Sequence, residues 1–308
     1  MTAEERVKAK AGELGFSLAG VARAQALAGE SDRLREWLGR NYQASMRWME
    51  TRESERTDPD RVLPGVRSVI SLAMNYYTPV SHSADPEVGK VSRYAWGEDY
   101  HALLGDRLRK LTAWMEGEFP GSRNLWYVDT GPVMEKVWAE RAGIGWIGKH
   151  TTVISPELGS WLFLGEVLTT VELEPDQPAT DHCGTCVRCI EACPTGAIVE
   201  AYVLDSGKCL SYVTIEHRGD APAAVEGKFE GWIFGCDICQ DVCPWNLRRG
   251  VETEIAEFQP RPGHEAPNLR EWMAMSREEF QRKFAGSPIR RAKWEGLLRN
   301  IRGVLGKS

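Results

Sequence analysis

The chain of 308 residues has no stretch approaching the roughly 20 consecutive apolar residues that cross a bilayer, so no membrane-spanning helix is expected. Its first residues, Met1-Thr-Ala-Glu-Glu-Arg-Val-Lys8, are charged and lack an apolar core. No secretory signal is therefore expected, and the chain reads as cytoplasmic. It has no low-complexity segment and no internal repeat apart from a doubled cysteine run. It also lacks a strong excess of one charge. A net charge of −6 excludes a generic polyanion binder as the role of the whole molecule. What is present is ordinary for a globular protein, with 42% hydrophobic and 27% charged residues, enough chain for about two domains with real cores.

Cysteine is absent everywhere except between Cys183 and Cys243, where all 8 lie. The first run is Cys183-Gly-Thr-Cys186-Val-Arg-Cys189-Ile-Glu-Ala-Cys193-Pro194, a C-x2-C-x2-C-x3-C-P pattern that holds a [4Fe–4S] cluster. The second run is split into Cys209 alone and Cys236-x2-Cys239-x3-Cys243-Pro244. In two-cluster proteins the last cysteine of each run ligates the other cluster. Cys183, Cys186, Cys189 and Cys243 are thus expected on one cluster, and Cys193, Cys209, Cys236 and Cys239 on the other. Zinc knuckles pair their ligands differently, and disulfides need an oxidising compartment. The spacing therefore predicts a protein that handles electrons.

Strand and helix patterns alternate before the cysteines. A helix is expected over 2–14, ending at Gly15, and another over His101–Phe119, with apolar residues at helical spacing. Strands are expected over Val66–Met74, Leu125–Val128 and Trp161–Val171. Asp129-Thr-Gly-Pro132 follows the second of these and leads to a helix over Val133–Ala142. These elements predict an α/β or α+β domain over 1–176. A Pro-rich acidic linker then leads to a ferredoxin-like cluster domain over 177–250 and a helical tail over 251–308. The insert between Cys209 and Cys236 is longer than a ferredoxin needs.

Two cofactor signatures are missing. Gly143-Ile-Gly-Trp-Ile-Gly148 matches G-x-G-x-x-G, but it follows a helix, and Lys149–Ser155 after it reads as strand, so it is expected to be a helix cap and turn. The D-x-H-x-x-G loop that lends a histidine to cobalt is absent, and Asp99-Tyr-His101 is out of register with it. Asp129 reads equally well as the cap of the helix opened by Pro132 or as a site residue at a strand end. The basic run Arg290, Arg291, Lys293, Arg299, Arg302 and Lys307, against the single acid Glu295, could meet phosphate or simply face solvent. His217 and Arg218 in the long insert share that ambiguity.

The stretch Val128-Asp-Thr-Gly-Pro-Val-Met-Glu-Lys-Val-Trp-Ala-Glu-Arg-Ala-Gly-Ile-Gly-Trp-Ile-Gly-Lys149 closely resembles the signature of the epoxyqueuosine reductases. The resemblance extends through Arg56-Thr-Asp-Pro59, Leu63–Ile70, Ser92–His101, the cysteine runs, Ser287–Lys293 and Leu298-Arg-Asn300, nearly the whole chain. It implies a nitroreductase-like domain that holds cobalamin, fused to a domain with two [4Fe–4S] clusters. It further implies reduction of epoxyqueuosine to queuosine at the tRNA wobble position. Asp129 would be the catalytic acid, and Arg56, Ser92, Asp129, Lys149 and Thr152 the corrin contacts. His217, Arg218, Arg290, Arg291 and Lys293 would face tRNA. The implied partners are tRNA carrying epoxyqueuosine and an external donor such as a flavodoxin or ferredoxin, with a monomer expected. Some relatives continue into helical repeats, whereas this sequence stops at Ser308. Two other readings share the cluster pattern: a corrinoid reductive dehalogenase, and an electron-transfer module without chemistry of its own.

Overall fold

Local signals in the sequence set the ends of the helices. Thr2 and Glu5 form a reciprocal capping box at the start of Ala3–Glu13, and Gly15 just beyond its end takes φ +82°. The long helix Tyr100–Glu118 buries Leu104, Leu108, Leu111 and Met115 along one stripe. The computed structural model describes residues 1–306. Lys307, the last of the basic run, lies outside the described residues. Among them no helix is long and apolar enough to cross a membrane. The chain divides into two compact units, each assembled from separate stretches: 1–41, 47–75 and 100–185, and 42–46, 76–99 and 186–308.

The first unit is built on a four-stranded sheet in the order Leu18–Arg23, Ser68–Asn75, Leu162–Thr169, Asn124–Tyr127. All three pairings are antiparallel, so the alternation of helix and strand in the sequence does not give a parallel sheet here. Every residue of Ser68–Asn75 is buried. Alternation along the strands sends Val69, Ala73 and Leu168 into one apolar cluster with Val137, Trp138 and Ala139 of the helix Glu135–Arg141. By the same alternation Ser71 and Glu166, register partners, share that face. The stretch read as strand over Lys149–Ser155 is mostly a turn. Only Val153–Ile154 is strand, paired with Trp146–Ile147, while Gly148 N–H donates to Thr152 O at 2.8 Å across the turn. Gly143 caps the preceding helix with φ +74°, as its place after a helix predicts.

In the second unit the long insert after Cys209 is not a loose loop. It supplies the helix Leu210–Ile215 and the strand Trp232–Phe234, which pairs in parallel with Lys90–Val91. Ile233 and Phe234 join Trp96, Trp272, Phe284, Leu297 and Ile301 in the core. The last helix, Lys293–Val304, locks this arrangement through Asn300, which is fully buried. Its amide donates to Thr214 O and Ile233 O, both at 2.8 Å. A second buried anchor joins Arg93 to Asp237, with the guanidinium at 3.1 Å and the Arg93 amide at 2.9 Å from the same oxygen.

Asn300→Ala removes the side-chain donor from two carbonyls in this core. Each group left unsatisfied costs about 1–3 kcal/mol, so the thermal midpoint of the anaerobic, cluster-loaded protein should fall by several degrees. Arg290→Ala, at an exposed position, should leave it nearly unchanged. Equal midpoints for the two variants would remove Asn300 from the account of this core.

Candidate active site and cluster ligands

Asp129 follows the strand Asn124–Tyr127 and takes φ +57°, a left-handed conformation uncommon outside glycine. Two residues on, Gly131 is required: a Cβ there would stand 2.2 Å from the Tyr127 ring. The following helix starts only at Glu135, with Met134 as its N-cap and no side-chain cap. Asp129 is therefore not the cap of that helix. Instead its own N–H donates to the Glu135 carboxyl, and this contact reaches back from the helix to hold the turn.

The Asp129 side chain is 59% exposed. Its Oδ2 accepts from the Tyr100 hydroxyl at 3.1 Å and lies 3.3 Å from His101 Nε2. Tyr100 is fixed by stacking on Phe163, with ring centroids 4.3 Å apart and planes 9° from parallel, and His101 stacks on Tyr100. Neither Tyr100 nor Glu135 stood out in the sequence, and His101 counted only as out of register with a cobalt loop. Their one signal was position inside the two motif stretches that end at His101 and run through Glu135.

Behind Asp129 the carboxyl groups continue inward. Partial burial and the nearby Asp129 charge push the Glu135 carboxyl up to about 8. Glu166 is fully buried, and burial, with the Glu135 charge added, pushes it well above the usual carboxylate range. Ser71 Oγ donates to one Glu166 oxygen at 3.4 Å, and the other is buried without a partner.

Of the other expected cofactor contacts, Arg56 lies in the field of Glu135, while burial and neighbouring Arg52 lower its affinity for its proton. One terminal nitrogen donates to Trp48 O at 3.2 Å, and its Nε is buried without a partner. Thr152 N–H and hydroxyl meet His150 Nδ1 at 3.3 and 2.6 Å. Burial lowers the His150 pKa to about 4, aided by Lys136, so the ring is neutral. With Nδ1 accepting the Thr152 amide, the proton sits on Nε2, which is buried and unpartnered. Lys149 Nζ donates to Gly184 O at 2.6 Å. Ser92 belongs to the other unit, where its hydroxyl donates to Asp237 at 2.5 Å.

The second cysteine set is brought together. Burial and the charges of Cys239 and Cys209 push the Cys236 thiol up. Burial, Cys209 and, more weakly, Cys189 and Cys193 do the same to Cys239. Burial would raise Cys193 as well, but hydrogen bonds from the Thr195 hydroxyl and backbone N–H groups outweigh it, and the thiol is lowered. Among the described residues no three His, Cys, Asp or Glu side chains converge on one ion. A cubane does not ask them to, because each thiolate binds a different iron.

The tRNA candidates separate into two groups. Arg218 donates to Ile215 O and Arg291 O, Arg291 makes a two-pronged pair with Glu216 at 2.7 and 2.9 Å, and His217 meets Asp220 O at 2.7 Å. These three hold their own loop together. Arg290 and Lys293 are exposed. Arg299 donates to the carbonyls of Val213, His217 and Gly219.

A model of the 4Fe-4S double cluster binding domain matches residues 182–246. With the carboxylate site on an antiparallel sheet, this defines a redox protein that combines a domain for two iron–sulfur clusters with an α+β unit. The family model described as Epoxyqueuosine reductase QueG, DUF1730, matches residues 56–130. An epoxyqueuosine reductase of Gloeobacter violaceus is 49% identical over 308 residues, covering 98% of this chain and 96% of its own. The chain belongs to the epoxyqueuosine reductase family. A crystal structure of such a reductase with an epoxyqueuosine-modified tRNA-Tyr stem loop matches with TM-score 0.92 and 30% identity, covering 98% of this chain and 80% of that one. A Bacillus subtilis structure, with its catalytic aspartate loop swung out of the active site, matches with TM-score 0.88 and 29% identity over the same shares.

Full anaerobic reconstitution should load about eight iron and eight sulfide per chain, the content of two cubanes. Cys209→Ser should lower iron to about half and spare the cluster that does not use it. About four irons in the fully reconstituted native chain would contradict the two-cluster assignment.

Proposed function

We propose that this chain reduces the epoxide of epoxyqueuosine to queuosine at the wobble position of tRNA, with cobalamin as cofactor and electrons drawn through the two [4Fe–4S] clusters. Cofactor and substrate chemistry are assigned to residues 1–176 and electron supply to 177–250. The observation that carries the reading is the Asp129 carboxyl, presented to solvent at a strand end and held by Tyr100 and His101 while Glu135 holds its backbone. We read it as the counterpart of the catalytic aspartate named for a Bacillus subtilis member of the family.

Cobalamin, when bound, supplies a strongly reducing cobalt nucleophile for an epoxide carbon. The residues present suit a ligand rimmed with amides. Arg56 Nε and His150 Nε2–H are buried donors that lack partners within the protein, and Thr152 sets the His150 tautomer. Arg56, Lys149 and Thr152 are assigned to hold the corrin. Ser92 stays a candidate through its motif alone, since its hydroxyl proton is on Asp237. Asp129 donates a proton to the oxygen as the epoxide opens, with Tyr100 and His101 orienting its carboxyl. Arg290 and Lys293 are free to meet tRNA phosphate, while Arg218, Arg291 and His217 shape the loop beside them. An external one-electron donor, flavodoxin or ferredoxin, supplies the clusters, and the protein acts as a cytoplasmic monomer.

Asp129→Asn keeps the shape of the side chain but cannot donate a carboxyl proton. Single-turnover reduction of epoxyqueuosine in tRNA should slow by roughly 10²–10⁴-fold, with cobalamin occupancy unchanged on the same anaerobic sample. Near-native turnover would remove Asp129 from the chemistry, as an electron-transfer module requires. Loss of cobalamin would make it a cofactor ligand instead.

A further inference from the structure

Three carboxyl groups stand in file in the first unit, and only the outermost has been given a task. Asp129 lies at the surface, its N–H on Glu135. Glu135 opens the helix Glu135–Arg141, which packs on the sheet face that carries Glu166 and Ser71. Glu166 is buried in the centre of the sheet, opposite Ser71 on one side and Tyr127 on the other.

The reaction proposed above takes up two protons per turnover. Converting an epoxide to an alkene breaks two C–O bonds, forms a C=C bond and releases the oxygen as water. This consumes two electrons, here from a one-electron reductant through the clusters, and two protons, both of which end on that oxygen. Asp129 carries one proton at a time. Resting on that functional reading, we propose that Glu135 stores the second proton and reloads Asp129, while Glu166 closes the inner end of the path as a neutral acid. In the reloading step the Glu135 carboxylic acid and the Asp129 carboxylate exchange one proton, and Glu135 then recovers its proton from solvent. Glu135 is in this sense a proton-supply residue that acts through Asp129.

The surroundings of Glu135 support a stored proton. Burial and the Asp129 charge disfavour its ionised form. The hydrogen bond from the Asp129 N–H favours it, as do Lys136, His101 and Arg56. Of the strands packed against its helix, Leu18–Arg23 adds only the exposed Arg23, and Ser68–Asn75, Trp146–Ile147 and Val153–Ile154 add no charge. Burial tips the balance toward the neutral acid at pH 7.

The test is infrared spectroscopy of the cofactor-loaded enzyme with 13C-labelled glutamate, paired with pH–rate profiles. In the native protein a protonated glutamate carboxyl band should be present at pH 7 and bleach with a midpoint near 8. The component that bleaches there should be missing from Glu135→Gln, which keeps an oxygen for the Asp129 N–H but cannot store a proton, while any band of neutral Glu166 persists. Native turnover should fall as pH rises through that midpoint. Glu135→Gln should be about tenfold slower or more, with no inflection there, and Glu135→Asp should restore much of the rate. Native protein in which no glutamate changes protonation in this range overturns the proposal without recourse to a variant. So does Glu135→Gln with native turnover and the inflection intact. A native enzyme that does not reduce epoxyqueuosine at all refutes the functional reading, while the band still decides where the proton rests.

Discussion

The hydrogen bond from the Asp129 amide to the Glu135 carboxyl ties the end of a strand to the start of a helix. It holds Asp129 in a left-handed conformation that a non-glycine residue adopts only at some cost. The constraint propagates outward. The chain turns within Asp129-Thr-Gly-Pro132, Gly131 clears the Tyr127 ring, and the carboxyl of Asp129 meets Tyr100 and His101. It also propagates inward, because the acceptor is a carboxyl group screened from water and set against the sheet face that buries Glu166. A turn that only needed to reverse the chain would be cheaper with glycine at position 129. An aspartate there, held from behind by a second acid, serves chemistry better than stability.

The cluster unit depends on a different constraint, which is keeping separate cysteine-bearing stretches in place. Its insert and last helix supply that rigidity. Asn300 bridges two carbonyls in the core, and Arg299 gathers three more at the end of the helix Leu210–Ile215. Arg93 and Ser92 satisfy Asp237, the neighbour of Cys236, with both charged partners deeply buried. Breaking one side of such a pair leaves an uncompensated charge in the interior, so Cys236 is held by interactions that tolerate little change.

Much of this was legible in the sequence, because its signals are local. Cysteine spacing pointed to two clusters, in agreement with the double-cluster domain matched over 182–246, helical periodicity located Tyr100–Glu118, and the strand-to-turn position of Asp129 drew attention to it. The remainder was not legible because it arises from pairing across long separations. Antiparallel register sets Glu166 opposite Ser71, 95 residues away, and no local pattern reports that. Glu135 carried no signal of its own within the helix expected over Val133–Ala142. Only the fold shows that it accepts from Asp129. Arg218 and Arg291 looked like phosphate ligands, and the structure gives them backbone carbonyls and Glu216 instead. Lys149–Ser155 looked like a strand, but Thr151 at φ +68° turns the chain and leaves only Val153–Ile154 to pair.

The central claim is that one chain joins cluster-borne electrons to cobalamin chemistry on a modified base in tRNA. Mass spectrometry of nucleosides from epoxyqueuosine-bearing tRNA tests it most directly. The tRNA would be incubated anaerobically with cluster-loaded protein and a reductant, with cobalamin supplied or withheld. The account predicts loss of one oxygen from the modified base, giving queuosine, only when cobalamin and reductant are both present. Conversion at the same rate without cobalamin, or no conversion by fully loaded protein, would contradict it.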